Sequence, residues 1–519
     1  MKSMVCFTRR GGHTGLLSCA AFAFGLTTAG GGALAQSQNA GHVAQHKNMR
    51  LVGLNDLQGR SAYQPIVHEQ GGRSIAYIGH HGGEAANPLN NNAVEKNGTS
   101  IVDVTDPRRP RYLFHIPGPS GAGEAGGAQM VRACSAKELP KADLNADPGR
   151  NKQYLLRATA SSHQVYDVTD PSRPTLVRTV VANLPNTHKS WWQCDTGIAY
   201  LVSDGTGLAT ATPSFPNWRT TRMTQIFDLG NPADPQFIRN YGLVGQQPGA
   251  TGANPTGVHG MIELGDRVYF GHGTGSNGIL QIVDRAKLLD ATRCATPPSA
   301  NFRTNPTDAD LLCPQLGRLD TSPTMGAHTV FPVIQQPVPD FAASPNRIRD
   351  FIVLVNEAGG NRCSDNRQMV YIVDITTPSK PMGVANHHVP AASGDFCARG
   401  GRFGSHSSNE SFTGVFYGKL VFASWFNAGV RAIDIREPFS PREVGFFIPA
   451  TTAKTDPRPE GCKIGVDAVC DVVIQTNNVE VDGRGLVYIV DRANTGLHIL
   501  ELTGRARKIM EGGDGGDDD

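Results

Sequence analysis

The chain has 519 residues and a formal net charge of +2, with 18% of its residues charged, so it lacks the basic excess of a nucleic-acid surface. Its 60 glycines and 34 prolines point to strands and turns rather than long helices.

Residues 1–35 read as an export signal: Lys2, Arg9 and Arg10 form a basic start, Leu16 to Leu26 an apolar stretch, and Ala33-Leu34-Ala35 a small-x-small cleavage site. The mature chain is expected to begin near Gln36, in the periplasm or outside the cell. Arg9-Arg10 leaves both twin-arginine and general secretion open. No later stretch is long and apolar enough to span a bilayer, so no integral membrane segment is expected after the signal.

Between residues 48 and 505 one phrase recurs, a short apolar run ending in Asp and then a turn with Pro. It reads Ser100-Ile-Val-Asp-Val-Thr-Asp-Pro107, His163-Gln-Val-Tyr-Asp-Val-Thr-Asp-Pro171 and Thr224-Gln-Ile-Phe-Asp-Leu-Gly-Asn-Pro232. It returns at Leu280 to Asp284, Val370 to Pro378, Val430 to Pro438 and Leu497 to Leu502. The β-branched alternation marks strands, Asp and Pro mark the turn after each, and about seven copies mark an array of modules.

Two strands precede each phrase, as in Val258–Leu264 and Arg267–Phe270, and one usually follows its Pro, as in Pro441–Phe447. The expected fold is all-β: a single closed β-propeller of about seven four-stranded blades over residues 48–505. The last unit lacks a fourth strand, and Met49–Leu54 has the text to supply it and remove an open edge. Long insertions fall at 82–98, 206–222 and 285–326, and residues 506–519 read as a disordered acidic tail.

The recurring Ile-Val-Asp-Val-Thr-Asp-Pro text resembles the LVIVD-repeat proteins, which are exported bacterial β-propellers. The resemblance runs through nearly the whole mature chain. It implies architecture and export and says little about chemistry.

Cys6 and Cys19 leave with the signal, and the eight remaining cysteines form an even set that suits an oxidising compartment. Sequence-near pairing predicts Cys294–Cys313, Cys363–Cys397 and Cys462–Cys470, leaving Cys134 for Cys194.

Four consecutive units open with histidine at the start of the first strand: His188, His259, His328 and His406. First strands line the axis of a propeller, so the four converge. Neutral imidazole suits copper and iron, and these four are the predicted metal ligands. Second strands run antiparallel to the first, so their ends share the same face. That places His80, His81, Asp204, His272, Glu357, Trp425 and Asp491 around the mouth, Asp491 as a turn residue. His272, Glu357 and Asp204 are the catalytic candidates. Glu410, four residues after His406, is a candidate acceptor for its ring.

The plan resembles, in arrangement only, the carotenoid-cleaving oxygenases and the selenium-binding proteins that include methanethiol oxidases. Both groups are propellers with histidine-held metals. The leading expectation is an exported metal-dependent oxidoreductase, with copper or iron as cofactor and a small organic molecule as substrate. A metal-independent hydrolase or lyase using the same pocket, and a non-enzymatic binding propeller, stay open. No serine-nucleophile elbow, phosphate loop or dinucleotide fingerprint is present.

Overall fold

The computed structural model describes residues 43–142, 151–338, 347–456 and 472–513. Residues 1–35, read above as an export signal, and Cys462 and Cys470 lie outside them. Each recurring phrase forms the third strand of a blade, from Gly98–Asp103 in blade one to Leu497–Leu502 in blade seven. Its Asp is a turn cap: Asp103 and Asp167 accept from the backbone N–H two residues on, at Thr105 and Thr169, each at 3.0 Å. The side chain satisfies a donor that the ending strand leaves unpaired.

Seven antiparallel blades form a ring and bury their apolar faces against one another. Blades one to five each take four consecutive long strands, such as Val258–Leu264, Arg267–His272, Ile279–Asp284 and Gln315–Asp320 in blade four. Blade seven has three strands of its own, and Met49–Asn55 pairs antiparallel with Leu497–Leu502 as the fourth. The chain start therefore closes the ring. Just before it, Gln45–Lys47 adds an outer strand to blade six, against Arg442–Ile448.

The inner strand of blade six is irregular. Its polar text, Ser405-His-Ser-Ser-Asn-Glu410, makes one bridge, Ser408 to Ala423, with scattered backbone bonds to Phe422 and Ser424. Two boundaries differ from the sequence reading. Gly504–Met510 form a helix, with Ala506 and Ile509 packed on blades six and seven, so order continues past residue 506. Gln315–Asp320, inside the expected insertion, is the outer strand of blade four.

Three disulfides join Cys294–Cys313 and Cys363–Cys397, as the spacing predicted, and Cys134–Cys194, the pair left over. Among the described residues no helix is long and apolar enough to cross a membrane.

The detail that builds the site is a β-bulge at the start of inner strands. The register slips by one residue between Ala62 and Pro65, Thr187 and Ser190, Val258 and Gly260, and Thr476 and Val479. A bulge puts an extra residue on one strand and re-aims its side chain. The residues at these slips include Tyr63, His188, His259 and Asn477.

Candidate metal centre and its cavity

The four predicted histidines meet. Successive ring centroids of His188, His259, His328 and His406 lie 4.7, 3.5 and 4.5 Å apart, and all four side chains are buried. Each comes from a different blade, so only the repeat brings them together.

Their hydrogen bonds set which nitrogen is free. Nδ1 of His259 donates to the His328 carbonyl at 2.7 Å, and Nδ1 of His406 donates to the Asn477 carbonyl at 2.7 Å. A carbonyl only accepts, so both rings keep a lone pair on Nε2. Nδ1 of His328 meets the Thr329 hydroxyl at 2.9 Å, and its buried Nε2 has no hydrogen-bond partner among the described residues. Nε2 of His188 lies 2.8 Å from Nε2 of His259, while Nδ1 of His188 is buried without a hydrogen bond among the described residues. Burial holds all four rings well below the usual histidine range, and neighbouring cations and imidazoles add to this. At neutral pH they are uncharged, the form that binds metals.

Carboxylates stand beside them. Glu357 lies 3.8 Å from Nε2 of both His328 and His406, and these three residues form a compact set able to hold an ion. Burial raises the Glu357 carboxyl, while Arg402, 3.1 Å away, opposes that shift. Glu124 lies 3.8 Å from Nδ1 of His188 and pairs with Arg222 at 2.9 Å. Above the rings opens a cavity of about 500 Å³ lined by Glu124, Asp204, Arg222, His259, Glu357 and Arg402 among others. Burial pushes the Asp204 carboxyl up to about 6.

The other mouth candidates are placed differently. His272 is buried beside Phe270, two residues back on the same strand face, and is absent from the cavity lining. Burial pulls it down to about 3. His80 is tied at both nitrogens, to the Ser61 carbonyl and the Ser100 hydroxyl. His81 is tied to Arg492 and the Ser61 hydroxyl. Trp425 is buried against His387. Asp491 caps the backbone N–H groups of Gln475 and Ala493, the turn role expected of it.

Glu410 corrects the spacing argument. The Asn477 carbonyl, not Glu410, fixes the His406 ring. Glu410 instead pairs with Arg132 and Lys189 in a buried ionic cluster. Gly260 makes room for it: a Cβ there would come within 2.4 Å of the Lys189 side chain. Glu480, packed beside Glu410, is pushed up to about 7 by burial and by that carboxylate.

Sequence reasoning missed Tyr63. It sits at the inner-strand bulge of blade one, its hydroxyl 3.3 Å from Nε2 of His188. Its ring meets those of His81, His188 and His406 edge-on at 5.0, 5.7 and 6.0 Å. Its position in the repeat is the available signal, but the slot holds a phenol where four other blades hold an imidazole.

Fold and site define a seven-bladed β-propeller with a histidine-lined axial pocket. No protein-family model matches the chain, and no curated protein matches it. Among solved structures it is similar to Sqt1 of Chaetomium thermophilum (9% identity, 88% of this chain and 98% of that one, TM-score 0.47). It is similar to a hypothetical selenium-binding protein of Sulfolobus tokodaii (11% identity, 79% and 90%, TM-score 0.43). It is also similar to the Cps50 (Swd1) propeller domain of Myceliophteria thermophila (10% identity, 88% and 100%, TM-score 0.41). At such identities the likeness concerns the fold alone.

Proposed function

We propose that His188, His259, His328 and His406 hold copper or iron, and that the protein is an exported metal-dependent oxidoreductase acting on a small organic molecule in the cavity. One observation carries the reading: four buried, neutral imidazoles from four blades converge, with lone pairs fixed on Nε2 of His259 and His406 by backbone carbonyls. An apolar core would not place such groups together without a partner for their lone pairs. The donor set suits a first-row metal, since imidazole with one carboxylate matches copper and iron better than calcium or magnesium.

A bound ion of this kind supplies Lewis acidity and electron transfer at the cavity floor. The chain's residues do the rest. Glu357, 3.8 Å from Nε2 of both His328 and His406, would add a carboxylate donor beside those rings, and Glu124 stands 3.8 Å from Nδ1 of His188, placed to take its proton as a hydrogen bond. Such partners orient a ligand ring and sharpen its basicity. Asp204, at about 6, exchanges a proton with a substrate near neutral pH. The resemblance to exported LVIVD-repeat propellers and the three disulfides support export.

Chelator treatment of the purified mature protein, followed by reloading with copper or iron and elemental analysis, tests the metal reading. Recovery of about one ion per chain is expected. Activity that persists in metal-free protein would instead favour hydrolase or lyase chemistry, for which Asp204 is the observation in hand.

A further inference from the structure

We propose that Tyr63 is a fifth donor of the axial centre, its phenol oxygen binding the same ion as His188 and His259. The inference rests on the metal reading above and extends it to a residue outside the histidine pattern.

Position comes first. The register slip between Ala62 and Pro65 in blade one matches the slips that carry His188 and His259 in blades three and four. The bulge that turns an imidazole toward the axis in those blades turns a phenol toward it in blade one. Blade seven has Asn477 at its own slip: its backbone carbonyl holds His406, and its side-chain amide donates to the Tyr63 carbonyl at 3.1 Å. Tyr63 is thereby anchored to the same framework as the ligands.

Distance comes second. Two atoms bound to one ion at about 2.0–2.1 Å, at angles between square and tetrahedral, lie roughly 2.8–3.4 Å apart. The Tyr63 hydroxyl is 3.3 Å from Nε2 of His188, and that nitrogen is 2.8 Å from Nε2 of His259. Both separations fall in the range for shared ligands. His81, equally close to Tyr63, has both nitrogens committed elsewhere and offers no lone pair.

Chemistry comes third. Binding a ferric or cupric ion would break the phenol O–H bond, release its proton to solvent and form the metal–oxygen bond from the freed oxygen pair. No electron is transferred in this step. A phenolate on an oxidised metal gives a ligand-to-metal charge-transfer band in visible light, which imidazole and carboxylate ligands do not.

The test uses the full mature chain, stripped and reloaded with Fe(III) or Cu(II), alongside Tyr63→Phe. The expected result is a visible charge-transfer band in the wild type that disappears in Tyr63→Phe while metal content stays near one per chain. Wild type that holds metal without such a band, or a band that survives in the variant, overturns the role of Tyr63 and leaves the histidine site standing. Wild type that takes up no metal overturns both. Should the variant fail to fold, wild type grown on ring-deuterated tyrosine decides: the resonance-Raman modes beneath the band must shift.

Discussion

His188 and Lys189 are neighbours in sequence, yet one joins the imidazole ring and the other pairs with Glu410. In a regular strand adjacent side chains face opposite ways. The bulge lies at this pair, and the bare backbone of Gly260 leaves space for the lysine. The two layers predict different mutational behaviour. Removing Glu410 takes the direct ion-pair partner from Arg132 and Lys189 and leaves Glu480 as the neighbouring carboxyl, and breaking a buried pair from one side costs about 3–5 kcal/mol. Glu410→Ala is therefore expected to lower unfolding free energy by about that amount in denaturant titrations. Loss of a single axial histidine side chain leaves no such charge behind. At this scale four histidines were legible because the repeat printed the same residue type four times. Tyr63 was not, because its slot holds a different residue. Glu410 was misassigned because spacing along one strand says nothing about Asn477 on the next blade.

At the scale of elements, the third strands were the most legible part of the molecule, since β-branched alternation and an Asp-capped turn act locally. Met49–Asn55 was legible through what the last blade lacked. The outer strand Gln45–Lys47 was not, because blade six already has its own outer strand and nothing local demands another. The inner strand of blade six is bonded both to its own blade and to the neighbouring ones, and its polar text carries no alternating strand signal. Closure by the chain start makes Gly53 sensitive. A Cβ at Gly53 would sit 1.9 Å from the Pro107 carbonyl oxygen of blade one. Gly53→Ala should displace the closing strand at a cost of roughly 1–3 kcal/mol for overpacking, which in a domain of this size lowers the thermal midpoint by about 1–3 °C. Deleting residues 36–60 should lower it further. A midpoint unchanged in both proteins would count against closure by this segment.

For the molecule as a whole, buried histidines set the response to acid. Burial pulls His163, His498 and His115 down to about 4, with Arg60 also acting on His115, and His272 down to about 3. Unfolded, each titrates near 6.5, so between about 6.5 and 4 the unfolded chain binds more protons than the folded one. Stability must then fall as pH drops through that window. The metal-free axial imidazoles act in the same direction. Glu480 at about 7 and Asp204 at about 6 act oppositely, since their raised values favour the folded state as pH falls. They are outnumbered. Thermal unfolding of chelated protein should show a midpoint that declines steadily from pH 6.5 to 4. A flat profile would mean that these rings are more open to water than their burial implies.

The metal centre we propose at the propeller axis is built by His188, His259, His328 and His406. The most direct measurement is elemental analysis of purified mature protein beside a variant in which His328 and His406 are both alanine, each exposed to equal copper and iron and then dialysed. Loss of an outer partner of a ligand already weakens metal binding about 10–100-fold, and loss of two ligands should exceed that. We expect about one ion per chain in the wild type and only background in the variant, with both proteins unfolding cooperatively. Wild type without bound metal, or a variant that retains it, would contradict the claim.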